Sequence, residues 1–556
     1  MVRHTDVCIV GAGPAGLSVA ASLVGSGLSV VVLEAGTGAA GELGTLPGIE
    51  IDDQDPYPHG NVDHSHAAGI GGTAGLWSFQ MIAAGDQRPV NRAGCPYAPL
   101  EPLDFTARPA VGIPGWDLDP GDLQPWYEAA QRLAGIGPYR YDVDSWTSPS
   151  GPQPLPLKGS GVVTSMFQFG PASAWTVDAR SRVEAAAEVT VLTGRWAVRL
   201  ERDHQGTILG VHAAGGQGGT ELVAARAVVL AAGGLETVRI LLDTARYDDQ
   251  PAPGNRSGLV GRYFMEHPLV RGGLLVTEPR RRVIDELGLY GTRNVAGTYV
   301  SAKLTLDAET VEREGLLATS ALLVPRDTSL GTPGARAFAR LRSPSGRRES
   351  RSAKFRQGLT VLGGAVDVCR AMLATRHQPT IDRADWADGV THPRLTVFEL
   401  IHQTEQSPDV ANRVYLDDEV DALGRSRLRL HWRWTLADRQ KVARSRDLYG
   451  AALERAGIGR LLGTDYDAGL PRLLGGTHHH MGVTRLSADP EAGVVNPQCR
   501  VHDTSNLYVA GSAIFPSGGF VNPTLTVVAT ALRLGAHLRS ELGSGPRAVT
   551  SEGAHI

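Results

Sequence analysis

The sequence predicts an α/β protein in which a discontinuous Rossmann-like dinucleotide-binding domain is joined to a second domain built on a largely antiparallel sheet and helices. Three stretches predict it: DVCIVGAGPAGLSVAASLVGSGLSVVVLEAG at 6–36, AARAVVLAAGGLETVRILL at 224–242 and SNLYVAGSAIFPSGGFVNPTLTVVATALRLGAHL at 505–538. Each runs from a short apolar strand through glycine into a helix. They come from the start, the middle and the end of the chain, so the nucleotide-binding domain has to be assembled from separated pieces.

In the first stretch, residues 7–10 form an uninterrupted apolar run, as a strand buried on both faces of a parallel sheet requires. Gly11, Gly13 and Gly16, with Pro14 and Ala15 between them, then complete a GxGxxG turn. The first glycine permits the turn, the second lets backbone amides approach a pyrophosphate, and the third lets helix and strand pack closely. The pyrophosphate would sit on a helix N-terminus, where unpaired N–H groups favour an anion. Glu34 closes the second strand 18 positions after Gly16, near the ~20 expected of an acid that binds a ribose hydroxyl. Such an acid would repel a 2′-phosphate, which disfavours NADP and leaves NAD and FAD open.

In the second stretch, residues 227–230 form another buried strand that ends at Ala232 and Gly233 before a helix. In the third, a strand at 507–510 meets Gly511 and Ser512. Pro523 suits a first helical turn and pushes the preceding residue out of helical geometry, so Asn522 is expected at the N-cap of TLTVVATALRLGAHL. From sequence alone Asn522 is either a simple cap or a site residue.

Bulk properties set the class of partner. The 556 residues are 42% hydrophobic, enough for one large core or two joined ones. A net charge of −4 gives no global field toward nucleic acid or anionic lipid. Cys8, Cys95, Cys369 and Cys499 show no CxxC spacing, which argues against a disulfide framework and against a zinc site. With no leader pattern and no apolar run of the ~18 residues a membrane span needs, a cytoplasmic protein is expected.

GGTHHHMGVTRL at 475–486 places His478, His479 and His480 side by side. Adjacent imidazoles rarely converge on one ion, so no metal is expected; the remaining readings are a base and a solvated loop.

With these motifs in view, the chain resembles the glucose-methanol-choline (GMC) family of FAD-dependent alcohol oxidoreductases, in its sugar-oxidising branch of pyranose oxidases and bacterial glycoside oxidases. The resemblance rests on the N-terminal unit, AAGGLETVRILL, GRYFMEHP at 261–268, EQSPDVANRV at 405–414, and the block from 475 to 538. In that family a histidine from a sequence like THxMG and an asparagine from NPTLT face the flavin. Counted back from Met481, the histidine is His479; some relatives read HHMG, which makes His480 the second candidate. The asparagine is Asn522, with Pro523 and Thr524 following it at the cofactor. The pair suits alcohol oxidation, which removes a hydride from carbon and a proton from oxygen. Histidine takes a proton near working pH, and an amide holds the developing alkoxide.

The resemblance implies further sites. HSHAAGIGGTAGLWSF at 64–79 matches the flavin-proximal glycine loop, so Gly71, Gly72 and Trp77 are expected at FAD; where some pyranose oxidases attach the flavin through histidine this chain has Leu76, which implies non-covalent FAD. Glu266 and His267 read as structural residues at a hinge. RLRLHWRWTL at 427–436 alternates as a strand of the substrate sheet. The Arg-, Gly-, Pro- and Ser-rich segment 331–356 reads as a mobile insert, and the tail as flexible. The expected partition assigns 1–100, 190–268 and 472–542 to the FAD-binding domain, 101–189 and 269–471 to the substrate domain, and 543–556 to the tail. The implied reaction is oxidation of a hydroxyl of a sugar, glycoside or cyclic polyol, with oxygen or another electron acceptor. The alternatives are oxidation of a primary alcohol in an aminoglycoside-type natural product, and a reductase or monooxygenase. A nicotinamide-using enzyme calls for a second GxGxxG unit, and none is found.

Overall fold

The computed structural model describes residues 2–37, 44–45, 49–52, 62, 65–77, 79–80, 93–215, 219–277, 287–326, 332–342, 350–374, 397–463, 466–467, 470–471 and 473–543. The expected α/β architecture is present. Among the described residues, a seven-stranded sheet runs in the order Arg195–Arg202, Ile208–Gly215, Gly219–Leu230, Val2–Val10, Val30–Leu33, Val189–Leu192, with Leu507–Val509 paired to Gly219–Leu230. Val2–Val10 lies parallel to both neighbours, in register Val10↔Leu230 and Val10↔Leu33. Residues 7–10 are at most 4% exposed, so the uninterrupted apolar run does reflect a strand covered on both faces. The Pro14–Leu23 helix and the Thr524–Gly543 helix pack on this sheet and on each other. The three sequence stretches therefore meet: their strands are neighbours, and their glycine turns gather at one sheet edge.

The second sheet has ten strands among the described residues, in the order Gly459–Leu462, Leu269–Thr277, Val397–Thr404, Thr319–Arg326, Thr298–Leu306, Val162–Pro171, Ala93–Tyr97, Phe79–Gln80, with two more paired at its side. All its pairings are antiparallel. Ala93–Tyr97, read above with the nucleotide-binding pieces, hydrogen-bonds into this second sheet through Val162–Pro171.

The strand expected at 427–436 differs in two ways. It is Ser426–His431, alternately buried, and it stops before Trp432 and Trp434, which turn into the core ahead of the Leu436–Arg455 helix. It also lies outside the substrate sheet, in a small sheet with Arg413–Val420 and, in parallel, Ile49–Asp52. Period-two alternation fixes the state of such a segment but not the sheet it joins. The described part of the Arg-rich insert is helical, in Pro333–Arg342 and at the start of Arg351–Gly363. All four cysteines are unpaired. No helix among the described residues is long and apolar enough to cross a membrane.

Candidate active site

A cavity of about 600 Å³ runs from the N-terminal glycine turn to the triple histidine. At its first end the chain leaves Val2–Val10 through Gly11, whose φ of +102° is a left-handed conformation that favours glycine. A methyl group on Gly16 would stand 1.9 Å from the Gly11 carbonyl oxygen, so the helix sits directly on the turn. The Pro14–Leu23 helix starts with no side-chain cap at Gly13, and the Gly233–Thr244 helix with none at Ala232. Both starts line the cavity and leave backbone N–H groups for an anion. Glu34 accepts hydrogen bonds from the Ala12, Gly36 and Gly69 amides at 2.9, 2.8 and 2.8 Å. Burial pushes its carboxyl pKa up against the pull of those amides. Of the residues expected at the cofactor, all but Gly16 and Gly71 line the cavity. Gly71 holds the turn from behind, its N–H donating to the Ala12 carbonyl at 2.8 Å.

The other end is built around His479. His478 has a φ of +60°, strained for a residue with a side chain, and this turns neighbouring imidazoles apart. The His480 ring packs 5.6 Å from Phe264, while its carbonyl accepts from Ser512 Oγ at 2.7 Å. His479 instead faces Asn522, with Nε2 3.3 Å from the amide Nδ2. The helix begins at Thr524 and the first helical bond runs from the Val527 N–H to the carbonyl of Pro523, which takes the cap position, so Asn522, expected at the N-cap, stands one residue before it. Its side chain is thereby turned to His479 and to Gln403, whose Nε2 donates to Asn522 Oδ1 at 3.5 Å and to the Phe520 carbonyl at 3.0 Å.

One tautomer of His479 satisfies its contacts to both Thr477 and Asn522. With the Thr477 hydroxyl proton given to Glu266 Oε1 at 2.9 Å, the hydroxyl oxygen accepts from His479 Nδ1 at 2.7 Å. His479 is then protonated on Nδ1 and carries its lone pair on Nε2, toward the Asn522 amide. Glu266 Oε1 also accepts from the backbone N–H groups of His267 and His479, both at 2.8 Å. His267 lies in direct contact, Nδ1 to Nδ1 at 2.9 Å. Glu266 and His267, read above as hinge residues, thus hold the histidine that the sequence singled out. Burial, then the positive fields of His267, His478, His480 and Lys303, holds His479 well below the ordinary histidine value. Burial likewise takes His267 down to about 4. Both rings are neutral at pH 7. Sequence reading also passed over Thr477, Gln403 and Lys303, although the motif GRYFMEHP already contained Glu266 and His267.

The chain matches the GMC oxidoreductase family over residues 408–531 and an NAD(P)-binding Rossmann-like domain over 9–61. Two curated relatives align over 98% of this chain and 92% of their own length: a 6'''-hydroxyparomomycin C oxidase of Streptomyces lividus at 24% identity and a paromamine 6'-oxidase of Streptomyces fradiae at 23%. The chain's C-terminal region is that of a GMC oxidoreductase. A C-glycoside 3-oxidase of Microbacterium trichothecenolyticum is 33% identical over 23% of this chain and 24% of its own. Among solved structures, an FAD-dependent oxidoreductase from Chaetomium thermophilum superposes with a TM-score of 0.52 at 17% identity, over 97% of this chain and 99% of that one. A formate oxidase does so with 0.52 at 16%, over 97% and 98%.

As a GMC oxidoreductase the protein is an FAD-dependent enzyme acting on CH–OH groups. The cavity fits that cofactor. Two uncapped helix starts suit the pyrophosphate, the Gly11 turn leaves no side chain in the way, and Glu34, whose Oε2 accepts a single N–H and keeps acceptor capacity, suits a ribose hydroxyl.

Proposed function

We propose that this GMC oxidoreductase oxidises a hydroxyl of a sugar, glycoside or cyclic polyol to a carbonyl, with His479 as base and Asn522 as its partner. The observation that carries the reading is the approach of His479 Nε2 to the Asn522 amide at 3.3 Å, with the opposite ring nitrogen committed to Thr477. FAD supplies the two-electron acceptor for the hydride. A substrate hydroxyl entering between the two side chains gives its proton to Nε2 and accepts from the Asn522 amide, which steadies the developing alkoxide. Gln403 keeps that amide turned with its N–H toward the substrate. Leu76, on the cavity wall, offers no nucleophile to the flavin, so FAD is held without a covalent bond and acid precipitation releases it.

Support for carbohydrate as the substrate class comes from relatives named as oxidases of paromamine, of C-glycosides and of a pyranose. The full-length alignment to the two aminoglycoside oxidases favours a second reading, oxidation of a primary alcohol in a glycosidic natural product. Anaerobic mixing of the purified yellow protein with sugars, O- and C-glycosides, aminoglycosides and simple alcohols tests both. Bleaching of the visible flavin band by one carbohydrate class is expected, and its return or persistence in air separates oxidase from dehydrogenase. Bleaching by NADH or NADPH alone overturns the reading.

A further inference from the structure

TYVSAKLTL at 298–306 places a lysine in the middle of an apolar strand, where a charge is costly. The strand lies inside the second sheet, between Val162–Pro171 and Thr319–Arg326. Val300, Ala302, Leu304 and Leu306 join the hydrophobic cluster beneath it, and Ser301 and Lys303 reach the cavity. Lys303 is 4% exposed. Its ammonium lies 3.8 Å from the centre of the Phe167 ring, a favourable but partial compensation. Among the described residues none of the ion pairs includes it. Burial alone moves its pKa down to about 7.

The remaining charges of the cavity are accounted for. Among the described residues its wall carries two carboxylates, Glu34 and Glu236. The first is held by three backbone amides, the second by Arg239 at 2.9 Å and Arg425 at 3.7 Å. The arginines on the wall are Arg195 and Arg425, paired to Glu221 and Asp421. Among the described residues, the wall at the end that holds His479 and Asn522 therefore has one cation, Lys303, and no carboxylate; the nearest acid, Glu266, lies behind His479 and is taken up by Thr477 and two backbone N–H groups. The other titratable side chains of that end among the described residues are Cys95, His478, His479, His480 and Tyr290, with His267 and Glu266 behind.

We propose that Lys303 anchors a carboxylate carried by the substrate, so that the enzyme prefers an acidic sugar or glycoside over its neutral and aminated counterparts. This rests on the carbohydrate reading above and names the class within it. A single lysine without an arginine fork suits a monoanion better than a phosphate. An aminated sugar would meet a like charge with no acid to receive its ammonium, which is costly in a desolvated site.

The test is anaerobic flavin reduction of the holoenzyme by matched sets: methyl glucoside, methyl glucuronide and methyl glucosaminide, then phenyl and 4-carboxyphenyl glucosides. The expected result is a kcat/KM for the acid member about tenfold or more above the neutral one. The advantage should reside in KM and fade as the pH rises through about 7. In Lys303→Met the acid-to-neutral ratio should fall to about one, and Lys303→Arg should keep it above one. Equal use of acid and neutral sugars by the wild type, or preference for the aminated member, overturns the proposal without any variant. An equal loss for all members in Lys303→Met also overturns it. Failure of every sugar to bleach the flavin overturns the carbohydrate reading itself, whereas bleaching by neutral or aminated sugars only defeats this inference alone.

Discussion

The role of base proposed for His479 requires a neutral imidazole, and its environment provides one. Its folded-state pKa is depressed, chiefly by burial, so the imidazole keeps a free lone pair at pH values where an exposed histidine is half protonated. The sign is clear: protonation disables the base, and the depressed value moves that loss to lower pH. The rate of flavin reduction should therefore stay flat as pH falls from 8 through 6.5 and decline only well below it, as a stopped-flow pH profile would reveal. His479→Ala should slow flavin reduction by about a hundredfold to ten-thousandfold while the visible flavin spectrum shows FAD still bound. Thr477→Val removes the acceptor that keeps the proton on Nδ1, so kcat should fall about tenfold with little change in KM. The meeting of His479 and Asn522 was legible because both sit in short local strings, THHHMG and NPTLT. Glu266 and His267 were not, because their meaning lies in a contact 212 residues away in sequence. Lys303 was hidden for a related reason: one lysine in an apolar strand shows a charge, but only the fold shows a cavity in front of it.

The strand, turn and helix from Val2 to Leu23 are the element on which cofactor binding depends. Nothing in it is spare. Gly16 lies against the Gly11 carbonyl, and Gly11 against that of Ala231, so the turn, the helix and the second glycine loop fix one another. Gly16→Ala places a methyl where it has no room, and overpacking of this kind costs about 1–3 kcal/mol or more. Because the displaced backbone carries the helix start, the loss should appear first in the cofactor: the variant should purify with a sharply lower ratio of flavin to protein absorbance, and recover little of it on added FAD. This element was readable because its constraints are local and its glycine spacing is itself the constraint. The opposite case is Ser426–His431. Its alternation was visible, but of its partners one, Arg413–Val420, lies just upstream and the other, Ile49–Asp52, near the start of the chain, and no feature of the strand names the second.

At the scale of the whole molecule, the segment from Glu101 to Arg108 ties the second sheet to the loop that carries Asn522. Arg108 gives one guanidinium nitrogen, Nη2, to both carboxylate oxygens of Glu405 at 2.9 Å, and Glu405 accepts from the Gly519 N–H at 3.2 Å. Ser517 donates to the Asp104 carbonyl and accepts from the Trp116 indole, both at 2.9 Å. The cluster holds three acids to one arginine in a buried place. Asp104 is raised well above the usual carboxylate range by burial and by Glu405 and Glu101, and Glu101 is raised by burial to about 7. A carboxyl whose folded pKa is raised contributes stability that is complete below its unfolded value and is lost as pH rises through the folded one. For Glu101 that window runs from about 4.5 to 7. The melting temperature of the wild type, followed by flavin fluorescence on release, should thus fall relative to that of Glu101→Gln between pH 5 and 8, and relative to Asp104→Asn in the same direction. A parallel response in all three proteins would mean that the acids are ionised in the folded state and that the clamp stands on Arg108 and Glu405 alone. A divergent one would make the loop bearing Asn522 the part of the molecule that alkaline pH loosens first.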